Sequence, residues 1–234
     1  MTEFVLITCE HGGNRIPPPF RGLFRAHRAL LQTHRGWDPG ALVMAEALAT
    51  AYQAPLVAST TSRLLIDLNR SIGHPQVFSA VTRVLPVATK AQIIAEHYRP
   101  HRDKVERLVA QAVSGGQRVI HIASHSFTPE LDGVVRAADV GLLYDPRRHL
   151  EVETSARWKK TLASRNPALR VRRNYPYAGK ADGLTSHLRQ CFPPNVYAGI
   201  EVEVNQRFVL AGGRPWSALR RVLIESLCEN QSQR

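Results

Sequence analysis

His11, in CEHGGNRIPP, and His125, in HIASHSF, are the residues whose type and setting most invite chemistry. Each ends an apolar run expected to be a strand, and neutral imidazole is the commonest zinc ligand. A lone strand-end histidine usually serves a turn, but two in equivalent settings suggest a metal pair, with glycines beside His11 that let a metal or substrate approach the backbone. His121 lies inside its apolar run and reads as a packed core residue. A catalytic zinc has three protein ligands and one open position, so a third donor is needed. Asp38, in WDPGA, offers a carboxylate, although a residue before a helix also suits an N-cap. Glu10 adjoins His11, but adjacent strand residues face opposite ways, so it should diverge from a His11 site. Asn14 offers a carbonyl oxygen.

Hydrolysis at a metal also needs a group that takes a proton from water and returns it to the leaving amine. Glu201 and Glu203, in GIEVEVNQ, share one face of an apolar strand. Buried carboxylates are costly unless paired or used, so each is either a base or half of a structural ion pair. Arg63, Asn69 and Arg70, in SRLLIDLNRS, combine guanidinium forks with an amide and form either a carboxylate clamp oriented by Asp67 or a turn network. Asn174, Tyr177 and Gly179, in NYPYAGKADG, form a pocket wall or simply a turn. Ser124 and Ser126 flank His125 without a GxSxG elbow, which argues against a serine nucleophile.

The elements that must hold these residues alternate. Strands are expected at 3–9, 54–60, 118–127, 139–146, 170–174 and 197–206, with a further one inside 62–71. Helices are expected at 39–53, 90–113, 151–164 and 215–229, the first entered through Pro39 and the second stopped by Gly115-Gly116. Residues 16–20 read as a Pro-rich loop, and 72–89 and 174–187 as irregular active-site loops. Strands apolar throughout predict a largely parallel sheet covered on both faces. Ligands in such sheets bind beyond the carboxyl ends of the strands, where HGGN, NRS, SHSF and NQ fall.

The 234 residues fit one large domain spanning 1–234. A net charge of +12 admits nucleic acid, anionic lipid or an anionic small molecule as partner. The arginines are dispersed, with no lysine-rich tail and no basic stripe interleaved with aromatics, which favours an anionic small molecule over nucleic acid. No run approaches the roughly 20 apolar residues of a membrane helix, and the N-terminus lacks the features of a signal peptide. Cys9, Cys191 and Cys228 form no CxxC pair, so reduced thiols in a cytoplasm are expected.

Taken together and in order, CEHGGNRIPP, WDPGA, SRLLIDLNRS, HYRPHRD, HIASHSF, NYPYAG and GIEVEVNQ resemble the N-formylglutamate amidohydrolase family across residues 9–206. The resemblance implies a phosphorylase/hydrolase-like fold, a three-layer α/β/α sandwich around a mixed, largely parallel sheet, as in the related zinc carboxypeptidases and aspartoacylases. It implies zinc, or another divalent metal, on His11 and His125, with Asn69 and Arg70 gripping a substrate carboxylate. It further implies Glu201 as general base and a Tyr177 that acts on the substrate. The wider class places a metal glutamate three residues after the first histidine, and Asn14 stands there in this chain. Asp38 is the replacement the resemblance favours. The activity so implied is amide hydrolysis of an N-acyl amino acid such as N-formylglutamate. A zinc carboxypeptidase or amidase acting on peptides or cell-wall fragments, and a binding protein that kept the fold without the chemistry, are the rival expectations.

Overall fold

The apolar runs become the centre of one sheet. The computed structural model describes the backbone of residues 1–232 and the side chains of residues 1–227. The chain opens with β1 (Glu3–Cys9), a 3-10 segment (Pro18–His27), α1 (Arg28–Leu31), α2 (Ala41–Tyr52) and β2 (Leu56–Ala58). Next come α3 (Val87–Ile93), a π turn (Ile94–Tyr98), α4 (Arg99–Ser114) and β3 (Arg118–Phe127). A small hairpin of β4 (Glu130–Leu131) and β5 (Val134–Val135) leads to β6 (Val140–Leu143), α5 (His149–Arg165) and β7 (Val171–Arg173). The chain continues through α6 (Leu184–Cys191), β8 (Tyr197–Asn205), α7 (Gln206–Ala211) and α8 (Gly213–Ser232).

Six strands pair in the order β2-β1-β3-β8-β6-β7. The first four are mutually parallel, β6 runs antiparallel to β8, and β7 is parallel to β6. This is the mixed, mostly parallel sheet expected. Side-chain alternation divides the core into two layers. Ile7, Ile122, Ile200 and Val202 face α2, α5 and α8 through Met44, Leu48, Trp158 and Leu223. Leu6, Val119 and Tyr197 face α4 and α6 through Val105, Val109, Leu184 and Leu188. His121, Glu201 and Glu203 share the parity of Val119 and Tyr197, and so does His125; register sets His125 opposite Glu203. These four residues therefore share the α4/α6 face. No helix among the described residues is long and apolar enough to cross a membrane.

Three local expectations are corrected. The strand expected inside 62–71 is instead a series of turns. Its Leu64, Leu65, Ile66 and Leu68 are buried against Phe20, Phe24 and Tyr98 rather than in the sheet. Side chains supply what a strand partner would have supplied: Ser62 Oγ accepts from Leu64 N, and Asp67 Oδ1 accepts from Asn69 N. The long helix over 90–113 is interrupted by the π turn just before Pro100, a residue that has no N–H to give and whose ring crowds the preceding turn. Within the expected loop 174–187, residues from Leu184 onward form α6, which buries Leu184, Thr185 and Leu188 along one side. Two further stretches, residues 18–31 and 206–211, are helical where none was expected.

Candidate active site

Backbone contacts bring the strand ends together. Asp38 N donates to His11 O, which fixes the WDPG turn beside β1. Gly40, with φ of 83°, is the N-cap of α2, so Asp38 is released from capping and its side chain faces the sheet. Gly12 and Gly13 admit the 59–60 backbone: an added Cβ would lie 2.9 Å from Ser59 O and 2.7 Å from Thr60 O, respectively. These glycines serve chain packing rather than the approach of a ligand.

His11 Nδ1 lies 3.3 Å and His125 Nδ1 3.0 Å from the same oxygen, Asp38 Oδ2. The outer nitrogen of each ring also meets a carboxylate. His11 Nε2 is 2.7 Å from Asp67 Oδ1, and His125 Nε2 is 3.0 Å from Glu10 Oε2. Arg63 donates to Asp67 Oδ2 at 2.6 Å and reaches Asp38 Oδ1 at 3.5 Å. His101, on α4, meets the other Glu10 oxygen at 3.3 Å. Glu10 does diverge from His11, as expected, but its direction carries it under His125. His11, Asp38, His125, Glu10 and Asp67 are all buried.

Burial favours the neutral forms here, and the partners outweigh it. Burial raises Asp38, but the His11 ring, the His125 hydrogen bond and Arg63 hold its carboxyl well below the usual range. Asp67 is depressed in the same way, with Arg63 and His11 opposing burial. Burial lowers His125, yet Asp38 and Glu10 bring it well above the usual histidine value. Burial and Arg63 lower His11, and Asp67 and Asp38 more than compensate. His121 lacks such help: it bonds Thr8 Oγ1 and Tyr197 OH, and burial pushes it down to about 4.

This arrangement fits a divalent cation. Three buried carboxylates, Glu10, Asp38 and Asp67, face one guanidinium, Arg63, leaving two negative charges over. Two imidazolium protons balance them in the metal-free chain, and one divalent ion would do the same. One ring nitrogen of each histidine and an Asp38 oxygen lie within 4.8 Å of one another, and each Nε2 has the carboxylate partner that metal-bound histidines require. Three such donors leave the pocket side open.

Metal-free protein is therefore expected to lose stability between pH 6.5 and pH 8. His125 and His11, raised in the fold, give stability that is complete below the unfolded value of about 6.5 and is lost as pH rises. Glu203, pushed up to about 8 mainly by burial with His125 opposing and Asp38 and Glu201 adding to it, resists an ionisation the unfolded chain undergoes near 4.5. It acts in the same direction. The depressed carboxylates contribute fully across this window, and His121 has no effect above its unfolded value. Thermal melts of chelator-treated protein should show a lower midpoint at pH 8; a flat or rising profile contradicts the pairing.

The pocket that opens on this cluster measures about 240 Å³ and is lined by His11, His34, Asp38, Arg63, Asn69, Arg70, His125, Tyr177, Glu201 and Glu203, among others. Of the residues expected from sequence to hold the metal, bind substrate or move the proton, the wall therefore gathers all but Asn174; Asn14, the alternative oxygen donor, also lies outside it. Asn174 Oδ1 accepts from Tyr144 N and Gly179 N, stapling the turn behind Tyr177. Asn14 donates to Leu31 O and Gln32 Oε1. Tyr177 OH accepts from Arg136, whose guanidinium covers the Tyr177 ring at 5.2 Å. Asn69 Oδ1 accepts from Leu184 N, tying the NRS turn to the start of α6. Arg70 donates to Asn69 O and Asp182 O, forms no ion pair among the described residues, and keeps a buried Nε without a hydrogen-bond partner. Glu201 Oε1 accepts from Thr185 Oγ1 at 2.6 Å, whereas Glu203 is buried with Oε2 unpartnered. Sequence reasoning missed the reach of Glu10 to His125, the second role of Asp67, the parts played by His101 and His34, and the proximity of Glu203 to the triad. His101 lay in the HYRPHRD motif, but nothing local announced its partner.

Histidines and carboxylates clustered at the strand ends of a mixed α/β sheet are groups suited to hydrolytic chemistry. The chain belongs to the N-formylglutamate amidohydrolase family, whose model matches residues 4–210. It is similar to the crystal structure of an Agrobacterium tumefaciens gene product, with 29% identity and a TM-score of 0.83, covering 98% of this chain and 90% of that one. It also shares its fold with the N-formylglutamate amidohydrolase from Ralstonia eutropha, with 19% identity and a TM-score of 0.74, covering 98% and 93% of the two chains. No curated protein matches the chain.

Proposed function

We propose that this amidohydrolase cleaves a small N-acyl amino acid, N-formylglutamate foremost, with zinc or another divalent metal held by His11, Asp38 and His125. The observation that carries this reading is the pairing of the Asp38-centred triad with Arg70, a guanidinium that forms no ion pair among the described residues, in one pocket of about 240 Å³. Such a volume lies just below the usual range for ligand pockets and suits a single amino-acid derivative better than a peptide. The net charge of +12 suits an anionic substrate. Free Cys9 and Cys191 support a reducing compartment such as the cytoplasm; the side chain of Cys228 lies outside those described.

The metal, when bound, supplies Lewis acidity toward the acyl oxygen and makes water a better acid. Asp67 and Glu10 fix the ring orientation of His11 and His125. Arg63 braces Asp67 and Asp38. Arg70 and Asn69 receive the substrate carboxylate, and Tyr177 closes the outer wall. We assign proton transfer to Glu203 rather than to Glu201. Glu203 stands opposite His125 in the sheet, lines the pocket, has no hydrogen-bond partner on Oε2 and is pushed up by burial to about 8. Glu201 is already engaged by Thr185. The Glu203 carboxylate takes a proton from the attacking water as the oxygen adds to the acyl carbon. It returns that proton to the nitrogen as the C–N bond breaks, giving formate and the free amino acid.

The reading is tested by supplying metal-loaded protein with N-formylglutamate and assaying formate and glutamate. Absence of turnover across N-formyl and N-acetyl amino acids and short peptides would overturn it. Arg70→Met is expected to raise KM by about 10- to 150-fold, the equivalent of about 1.5–3 kcal/mol for a lost hydrogen bond to a charged group. Metal content should not change. An unchanged KM would remove Arg70 from the carboxylate site.

A further inference from the structure

A second group of metal-ligating side chains lies on the helices that cover the same face of the sheet. α6 carries His187 and Cys191 one turn apart, and α4 presents Glu106 to them. His187 Nε2 lies 3.0 Å from Glu106 Oε2 and 3.7 Å from Cys191 Sγ. One ligand atom from each of the three lies within 4.8 Å of the others. None of the three lines the substrate pocket, and the proposed chemistry uses none of them.

We infer that Glu106, His187 and Cys191 form a peripheral site for a thiophilic divalent cation, zinc foremost, which clamps α6 onto α4. The i, i+4 spacing places His187 and Cys191 on one helical face, so two ligands are held by a single rigid element. Thiolate with imidazole and one carboxylate is a zinc-type donor set, and the sulfur argues against magnesium and calcium. Zinc bonds of about 2.3 Å to sulfur and about 2.0 Å to nitrogen at a tetrahedral angle separate the two atoms by roughly 3.5 Å. The observed 3.7 Å therefore needs little adjustment. Cys191 is exposed and the other two residues are half-buried, so a cation can enter without unfolding.

Binding would displace the Cys191 thiol proton, so occupancy should increase with pH. The clamp would act on the substrate pocket through the opposite end of α6. There Leu184 N bonds Asn69 and Thr185 bonds Glu201, while the preceding Asp182 accepts from Ser71 and, through its carbonyl, from Arg70.

The test is cobalt(II) added to the intact, metal-free protein. The His11–Asp38–His125 site offers no sulfur, so a near-ultraviolet sulfur-to-cobalt charge-transfer band would report the second site alone. The band should appear in wild type and vanish in Cys191→Ser and in His187→Ala. Zinc should also slow modification of the Cys191 thiol by a thiol reagent. A band that survives Cys191→Ser would place the sulfur elsewhere and overturn the proposal, as would the absence of both band and thiol protection in wild type.

Discussion

Asp38→Ala is expected to remove bound metal and activity together, with the largest loss of stability among substitutions in the pocket. One Asp38 oxygen receives both His11 Nδ1 and His125 Nδ1, and the other lies 3.5 Å from Arg63. Its removal leaves three potential cations with only Asp67 and Glu10 to balance them in a buried site. Taking away one partner of a buried charge pair costs about 3–5 kcal/mol, and the histidines should respond by releasing protons. Metal affinity should fall by more than about 100-fold, the upper end of what is lost when only an outer partner of a ligand is removed. Asp38→Asn separates the two effects: it keeps the shape and an oxygen, so it should fold better than the alanine variant while still losing metal. Elemental analysis of the purified variants and thermal melts measure both. Asp38→Ala protein that retained stoichiometric zinc and wild-type turnover would end the proposal that Asp38 completes the triad.

The triad was legible to different degrees, for physical reasons. His11 and His125 announced themselves because each lies near the end of an apolar run, and a strand that is buried along its length delivers the residues around its carboxyl end to the edge of the sheet. β3 runs over 118–127 and β1 over 3–9, as the residue patterns predicted. Asp38 was a candidate from its residue type, but only the resemblance preferred it over an N-cap. Its distance from His11 is set by a backbone hydrogen bond between segments 27 residues apart, and hydropathy carries no trace of that. The apolar LLIDL run was mistaken for a strand because burial and strand pairing leave the same local signature. In the fold the run is buried in a satellite core, and Asp67 bends the chain so that its oxygens serve Asn69 N, Arg63 and His11 at once. Glu10 illustrates the limit of alternation arguments. They placed it on the opposite side from His11, but they could not show that the adjacent strand delivers His125 there. The α6 helix was hidden because its eight residues bury only three along one side, too short a pattern to separate from the loop before it.

Glu203→Gln is expected to give a protein that is nearly inactive and yet, in the metal-free state at pH 8, more stable than wild type. The two effects have a common cause. Glu203 is buried, one of its oxygens has no hydrogen-bond partner, and its proton affinity is raised to about 8. The fold therefore favours the neutral carboxyl, and stability falls as pH rises from the unfolded value near 4.5 through the folded one. A neutral amide of the same shape escapes that cost but cannot take a proton from water, and the loss of a general base lowers kcat by about 10²- to 10⁴-fold. Bound metal should remain, because the triad does not include Glu203. Glu201→Gln provides the comparison. It keeps an oxygen for Thr185 Oγ1 and leaves Glu203 in place, so its kcat should fall far less. Turnover, metal content and melting temperature of the two variants decide between the carboxylates. If Glu201→Gln abolished turnover while Glu203→Gln retained it, proton transfer would belong to Glu201, as the family resemblance first implied. If Glu203→Gln lost metal, the carboxylate would instead be a ligand, and its unpartnered oxygen would mark a fourth donor to the cation rather than the base.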